Sequence, residues 1–116
     1  MTNHEIPLFI KTYELYGKIY STCKKMSKQD RYNLGAKIES SFLCAFENII
    51  AAENLSGTEK LQYLRNAHTK IEILKVHLRL ANDQKIIILK DYLSLEEALQ
   101  EIGKMLGGWI RYIKSS

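Results

Sequence analysis

The sequence has a single proline, Pro7, and no run of apolar residues long enough to cross a membrane. Proline and clusters of turn residues interrupt helices, so a chain with so few of them is expected to be all-helical. The apolar run at 42–46 is far shorter than the roughly 18 residues of a membrane span, so we expect no membrane partner. The start, "MTNHEIPLF", lacks a basic region followed by an apolar one. No secretory signal is therefore expected, and a cytoplasmic location is predicted.

Residues that bind metals or carry out catalysis are also sparse. Cys23 and Cys44 form no CxxC pair, and we interpret both as buried free thiols. His68 and Glu72 lie one helical turn apart, but two ligands do not make a metal site. The run "GKMLGG" lacks the order of a phosphate-binding loop, and no Glu-x-x-His pairs occur. The sequence therefore predicts no cofactor, no metal and no enzymatic activity.

The chain does contain four segments in which apolar residues recur alternately at three and four positions, as on one face of a helix. They predict helices at about 6–25, 28–54, 58–82 and 89–114 in one domain, 1–116. Four helices joined by short loops predict an all-α, up-down-up-down four-helix bundle.

The periodicity also predicts which residues face the core. The predicted core positions are Ile6, Phe9, Tyr13, Tyr16, Tyr20 and Cys23 in the first helix, Leu34, Ile38, Phe42, Ala45, Ile49 and Ala52 in the second, Leu64, Ala67, Ile71, Leu74, Leu78 and Ala81 in the third, and Leu89, Tyr92, Leu95, Leu99, Ile102, Leu106, Trp109 and Ile113 in the fourth.

Three short motifs resemble helix caps. Ser27 with Asp30, and Ser56 with Glu59, have the spacing of a capping box and are predicted to start the second and third helices. Ser94 has the same spacing to an acidic residue, but the apolar period runs past it without a break. We therefore start the last helix near Leu89.

Several helices carry more apolar residues than one core-facing stripe needs. The additional positions are Leu8, Leu15 and Ile19 in the first helix, Leu43, Phe46 and Ile50 in the second, and Tyr63, Ile73, Val76 and Leu80 in the third. Some of these residues only widen the stripe. Ile73, Val76 and Leu80, however, lie two residues after core positions, more than half a turn around the helix. They predict an exposed apolar surface and self-association through it.

Three of the six glycines, Gly103, Gly107 and Gly108, precede the only tryptophan, Trp109, in a segment whose helical period continues. An interior helical glycine costs roughly 1 kcal/mol relative to alanine. Two interpretations remain open. The glycines and Trp109 form a subunit interface that a neighbouring helix approaches closely, or the glycines relieve crowding inside one bundle.

Basic residues are in excess, with a formal net charge of +4. They occur around the first loop, on the third helix and on the fourth. Most are expected to be the solvated faces of helices. Repeated around an oligomer, the same excess would form a surface able to hold phosphates.

Three segments together resemble the Avd accessory proteins of diversity-generating retroelements: "MSKQDRYNLGAKIE" (26–39), "LRLANDQKI" (78–86) and "EIGKMLGGW" (101–109). The resemblance extends from about Ile6 to Tyr112, and "IGKMLGGW" is its most specific part. Met26 and Ser27 depart from the Phe-Pro of the family pattern, and the net charge is milder than the family implies. RNA affinity is therefore expected to be weaker, with the polymerase contact dominating.

The resemblance implies a four-helix bundle that assembles into a homopentameric ring. It also implies a non-catalytic protein that binds the reverse transcriptase and the template RNA of the element and supports mutagenic cDNA synthesis. The residues at the matching basic positions, Arg31, Lys37, Arg79 and Lys104, are the predicted contacts with RNA or polymerase.

Other functions stay open at this point. Related four-helix proteins encoded with ribosomal RNA intervening sequences would show an Asn-Ile-Ala-Glu-Gly run late in the second helix, where this chain has "NIIAAENL". A structural, oligomeric scaffold without nucleic-acid binding is a third possibility, and salt-sensitive RNA binding separates it from the other two. A small four-helix enzyme is the remotest alternative.

Overall fold

The structure, a computed structural model, describes residues 5–115, which form four long helices and no β-strand. Helix α1 spans Glu5–Lys24, α2 runs from Lys28 to Glu53, α3 spans Glu59–Asp83 and α4 spans Leu89–Lys114. The all-α fold is confirmed for this part of the chain. The bundle measures 46 × 22 × 19 Å.

The four helices are arranged in a cycle, with α1 packed against α2 and α4, and α3 packed against the same two. Ion pairs join Lys11 to Glu101 and Lys25 to Asp91, so the start of α1 faces the later part of α4. Lower numbers on one helix pair with higher numbers on the other, which makes the two helices antiparallel. The loops 54–58 and 84–88 are too short to allow any other arrangement of their flanking helices.

Every residue of the third helix that was predicted to face the core is buried in α3. In α2 the predicted residues from Ile38 to Ala52 are buried, and Leu34 is partly buried. In α4 the predicted residues from Leu95 to Trp109 are buried, whereas Leu89 at the first turn is exposed.

The core face of α1 is not the predicted one. Its buried apolar residues are Leu8, Leu15, Ile19 and Cys23, and Thr12 and Thr22 lie among them. The Thr12 hydroxyl donates a hydrogen bond to the Leu8 carbonyl at 2.7 Å, which satisfies its polar group inside the core. The expectation for α1 was wrong because it counted threonine as polar and tyrosine as apolar.

Correspondingly, the predicted stripe of α1 lies on the surface, apart from Cys23. Ile6, Tyr13 and Tyr20 are exposed, and Phe9 and Tyr16 are partly buried. The ring of Phe9 packs against that of Phe46 on α2 at 5.5 Å between centroids. The α1–α2 side of the bundle therefore presents aromatic rings to solvent.

Helix α2 begins with the predicted cap. The Ser27 hydroxyl oxygen accepts a hydrogen bond from the Asp30 backbone N–H at 3.2 Å and donates one to its carboxylate at 3.0 Å. An α-helical turn, Lys28–Asp30, is followed by a π-helical segment, Arg31–Gly35, and then by the α-helix Ala36–Glu53. The sequence predicts one continuous helix here and gives no sign of the π-helical segment.

Gly35 allows the π-helical segment to lie close to the preceding loop. A Cβ atom at this position would lie 3.0 Å from the Met26 Sδ atom and 3.3 Å from the Asp30 carbonyl oxygen. The Cys23 thiol donates a weak hydrogen bond to the Gly35 carbonyl, with 3.8 Å between sulfur and oxygen. Burial, with a smaller contribution from Glu39, raises the pKa of Cys23 to about 12, so the thiol keeps its proton.

The remaining helix ends depend on backbone geometry. The predicted Ser56 cap is wrong, because Thr58 precedes the first turn of α3 and no side chain caps it. At the end of α3, the Ile86 N–H bonds to the Ala81 carbonyl and the Lys85 N–H to the Asn82 carbonyl. This is a Schellman motif, and Lys85 occupies its left-handed position with φ of 59°.

Candidate functional site

The four predicted contact residues are all exposed, but they do not form one cluster. Arg31 and Lys37 lie in the first turns of α2, and Arg79 lies near the end of α3. Because α2 begins where α3 ends, these three residues share one end of the bundle. Lys104 lies past the middle of α4, roughly 20 Å along the helix from that end at 1.5 Å per residue.

The end shared by Arg31, Lys37 and Arg79 has more basic than acidic side chains, and we call it the basic end. Its basic residues are Lys24, Lys25, Lys28, Arg31, Lys37, Arg79, Lys85 and Lys90, and its acidic residues are Asp30, Glu39, Asp83 and Asp91. Lys25 is held by Asp91 at 2.5 Å. Arg31, Lys37 and Arg79 make no ion pair with any residue among 5–115, so their charges face solvent. This end can bind an anion such as a phosphate group.

An exposed aromatic ring lies within the basic end. Tyr32 belongs to the π-helical segment and is 71% exposed. It borders an open groove of about 520 Å³, whose lining also includes Asn33 and Lys37. An aromatic face beside cationic side chains is the arrangement on which unpaired bases stack. Sequence reasoning identified the basic neighbours of Tyr32 but missed the ring.

The predicted apolar stripe of α3 is exposed. Ile73, Val76 and Leu80 all lie on the surface, while Leu74 and Leu78 beside them in sequence are buried. We call Ile73, Val76 and Leu80 the outer stripe. They form an apolar surface that the described part of the chain leaves exposed.

The glycines of α4 have no packed neighbour that requires their small size. A Cβ at Gly103 would lie 3.8 Å from the Nζ atom of Lys75. At Gly107 and Gly108 it would meet only the guanidinium nitrogens of Arg111, at 3.4 and 3.9 Å. These atoms are the ends of flexible side chains and can move aside. Crowding inside one bundle therefore does not account for the glycines.

Trp109 differs from the glycines that precede it. Trp109 is only 1% exposed and belongs to the hydrophobic core of its own chain. The Nζ atom of Lys60 lies 5.2 Å from the ring centroid, which places a cation over the indole. The expectation that this ring is presented to a neighbouring subunit is not met, because α4 turns it inward.

Lys60 also belongs to an ionic cluster at the end of the bundle opposite the basic end. Its Nζ atom lies 2.6 Å from the Glu5 carboxylate, and both side chains are largely buried. Burial, and then the charge of Glu5, raise the pKa of the Glu53 carboxyl. The Glu53 Oε1 atom is buried without a hydrogen-bond partner among the described residues. The buried pair ties the starts of α1 and α3 together, a structural role.

A surface that the sequence reasoning missed lies between α1 and α2. It is an open groove of about 510 Å³ lined by Tyr13, Glu14, Tyr16, Gly17, Leu43 and Phe46. We call this surface the aromatic groove. No local signal in the sequence identifies it, because the tyrosine stripe and the threonine-containing stripe of α1 have the same helical spacing.

The part of the chain that the structure describes holds no group of three or more His, Cys, Asp and Glu side chains that could bind a metal ion. His68 and Glu72 are 3.9 Å apart, and no third ligand joins them. Among residues 5–115, no helix is both long enough and apolar enough to be a membrane span.

Comparison with known proteins relates the chain to one family. No curated protein matches it. A solved structure resembles it with a TM-score of 0.86 at 21% sequence identity, covering 93% of this chain and 98% of the other. That structure is a protein of unknown function from the S23 ribosomal protein family of Bacteroides thetaiotaomicron VPI-5482, and at this identity the likeness shows the fold alone. The profile of the family described as bAvd-like matches residues 8–113. The chain, matched over nearly its whole length, belongs to the bAvd-like family.

Proposed function

We propose that this chain is a non-catalytic accessory protein of a diversity-generating retroelement. It binds the reverse transcriptase and template RNA of the element in the cytoplasm and supports mutagenic cDNA synthesis. It acts as a ring of identical subunits, five in number. Membership of the bAvd-like family supports the class of protein.

The observation that carries the RNA contact is the basic end. Arg31, Lys37 and Arg79 lie there without ion-pair partners among residues 5–115, and Lys37 borders the same groove as the exposed Tyr32 ring. A ring of subunits repeats this surface, and the repeated cations displace counterions from RNA together. Lys104 lies on a separate surface and is proposed as a polymerase contact.

The subunit interface in this proposal includes the outer stripe and the glycine surface of α4, formed by Gly103, Gly107 and Gly108. The outer stripe is exposed, and the half-buried glycines of α4 have only the ends of Lys75 and Arg111 beside them, so neither surface has a packing role among residues 5–115. Trp109 is left out of the interface because its own chain encloses it.

The test is co-expression with the reverse transcriptase encoded beside this gene, followed by capture of the complex with and without RNase. The variant R31E/K37E is expected to lose RNA, while R79E/K104E tests the other two predicted positions. The matched control is K11E/K18E, which makes the same change in charge on the side of the bundle where α1 meets α4, away from the basic end and from both interface surfaces. RNA binding by the wild type should weaken steeply with added salt.

Each outcome separates the alternatives. Equal RNA binding by R31E/K37E and its control contradicts the basic end as the contact. An absence of salt-sensitive RNA binding in the wild type favours a scaffold without nucleic acid. Binding of RNA without any capture of the reverse transcriptase favours a role like that of the intervening-sequence proteins.

A further inference from the structure

Two apolar surfaces of different shape remain uncovered on different sides of the bundle. We propose that the aromatic groove of one subunit is the docking site for the outer stripe of the next copy of this chain. The proposal rests on the self-assembly included in the proposed function, and it assigns the two surfaces that meet.

The first surface is concave and aromatic. Tyr13 is 65% exposed at the lip of the groove, and Leu43 on α2 is exposed opposite it. Gly17 also lines the groove, and a Cβ at this position would have no heavy atom within 4 Å. The missing side chain keeps the groove open. A soluble chain rarely leaves such a surface uncovered unless a partner occupies it.

The second surface is convex and aliphatic. Residues of the outer stripe follow the core residues Ile71, Leu74 and Leu78 by two positions, about 200° around the helix. The stripe therefore points away from the core of its own bundle. Branched aliphatic side chains projecting from a helix are the shape that a groove between two helices accepts.

Helix α3 cannot cover the groove of its own chain. It packs against α2 and α4, while the groove lies between α1 and α2. Since the stripe also points outward, a groove and a stripe can meet only between two copies of the chain.

Charge on the two surfaces is complementary. Glu14 lines the groove from α1, Glu47 lies one helical turn from the groove residue Leu43 on α2, and α2 has no lysine or arginine between residues 38 and 53. Helix α3 has a single acidic residue between 60 and 82, Glu72, which pairs with Lys75 at 3.4 Å. Arg65, Lys70 and Arg79 on α3 have no ion-pair partner among residues 5–115. The groove side is acidic and the stripe side is basic, so unlike surfaces attract and like surfaces repel.

Pairing of unlike surfaces has a consequence for assembly. After one contact forms, each pair of subunits still has a free groove at one end and a free stripe at the other. Contacts of this heterologous kind form a closed ring where the rotation between neighbouring subunits closes, and an open filament where it does not. A contact between two copies of the same surface would stop at a dimer.

The experiment uses one variant for each surface. Y13K/L43K places positive charge in the groove, and V76E places negative charge on the stripe. Both change exposed residues, so circular dichroism should show an unchanged fold. The control is L93E on α4, where Leu93 is 55% exposed and Val76 is 53% exposed.

Native mass is measured for each protein alone and for the two surface variants mixed in equal amounts. Each surface variant alone is expected at one chain mass, 13.4 kDa, and L93E at the mass of the wild-type assembly. The mixture is expected at twice the chain mass or above. The intact groove of V76E receives the intact stripe of Y13K/L43K, and the two altered surfaces, which carry opposite charges, can pair as well and extend the assembly.

Four outcomes would overturn the pairing: a monomeric wild type, surface variants that still assemble alone, a mixture that stays monomeric, or loss of assembly in L93E as well. A groove variant that keeps its native mass but no longer captures the reverse transcriptase would assign the groove to the polymerase instead. RNA binding by the wild type is measured in parallel. Its absence beside a rescued mixture would contradict the proposed function while the pairing stands.

Discussion

Replacing the three glycines of α4 with alanine should stabilise the isolated chain and weaken its assembly. Each replacement removes a helical glycine, which is worth up to about 1 kcal/mol in an exposed helix interior. The added methyl groups meet only the end of Lys75 at Gly103 and the end of Arg111 at the other two positions, so no rigid atom opposes them. We expect the free energy of unfolding of the triple variant to be about 2–3 kcal/mol higher than that of the wild type.

The assay is urea unfolding followed by circular dichroism at concentrations low enough to dissociate the subunits, with native mass measured separately at high concentration. The matched control is Gly35→Ala. It gains the same helix propensity, but its Cβ would lie 3.0 Å from the Met26 Sδ atom and 3.3 Å from the Asp30 carbonyl. The control should therefore lose stability.

Two results would refute this reasoning. A triple variant less stable than the wild type at low concentration would mean that the glycines pack inside the bundle. A triple variant that assembles as the wild type does would remove these glycines from the subunit interface.

Three further predictions concern stability. Lys60→Met removes an ion-pair partner of the buried Glu5 carboxylate and the cation over Trp109, and thermal unfolding at pH 7 should show a loss of about 3 kcal/mol; a loss below 1 kcal/mol would contradict a stabilising role for this ion pair. Lys85→Gly relieves the strain of the left-handed backbone after α3, and urea unfolding should show a gain of about 1 kcal/mol in the free energy of unfolding. A loss would show that the Lys85 side chain contributes more to stability than its positive φ costs. The raised pKa of Glu53 means that the folded state holds this proton more tightly than the unfolded chain does. Its unfavourable contribution is present above the folded-state pKa and fades as pH falls through that value towards the ordinary one. Glu53→Gln should therefore raise the melting temperature at pH 7 and have less effect at pH 4. An equal effect at both pH values would contradict the charge of the Glu53 carboxylate as the source of the destabilisation.

The sequence predicts the interior of α3 completely because its core positions are occupied only by leucine, isoleucine and alanine. The prediction of the core face fails for α1, because both of its stripes contain residues that are partly polar and partly apolar. Threonine can be buried once its hydroxyl bonds to the helix backbone, and tyrosine can stay on the surface with its hydroxyl in water. Periodicity alone cannot choose between two such stripes, since both have the same spacing.

The candidate sites likewise include some features that the sequence predicts and others that it does not. Exposure of Arg31, Lys37 and Val76 could be predicted, because charge and helical phase are local properties of the sequence. The enclosure of Trp109 could not be predicted from its position beside two glycines, because it depends on which way α4 turns against the other three helices.

By itself the sequence determined that this protein is helical, that α3 has apolar residues on both its inner and outer faces, and that Gly103, Gly107 and Gly108 lie within a helix. Local pattern is enough for these features, since backbone hydrogen bonds and side-chain phase are set within a few turns. Only the tertiary structure decided which face of α1 is buried, where the π-helical segment forms and which basic residues share an end. Those features depend on contacts between residues far apart in the chain, such as Phe9 with Phe46 and Cys23 with Gly35, and no single helix contains them.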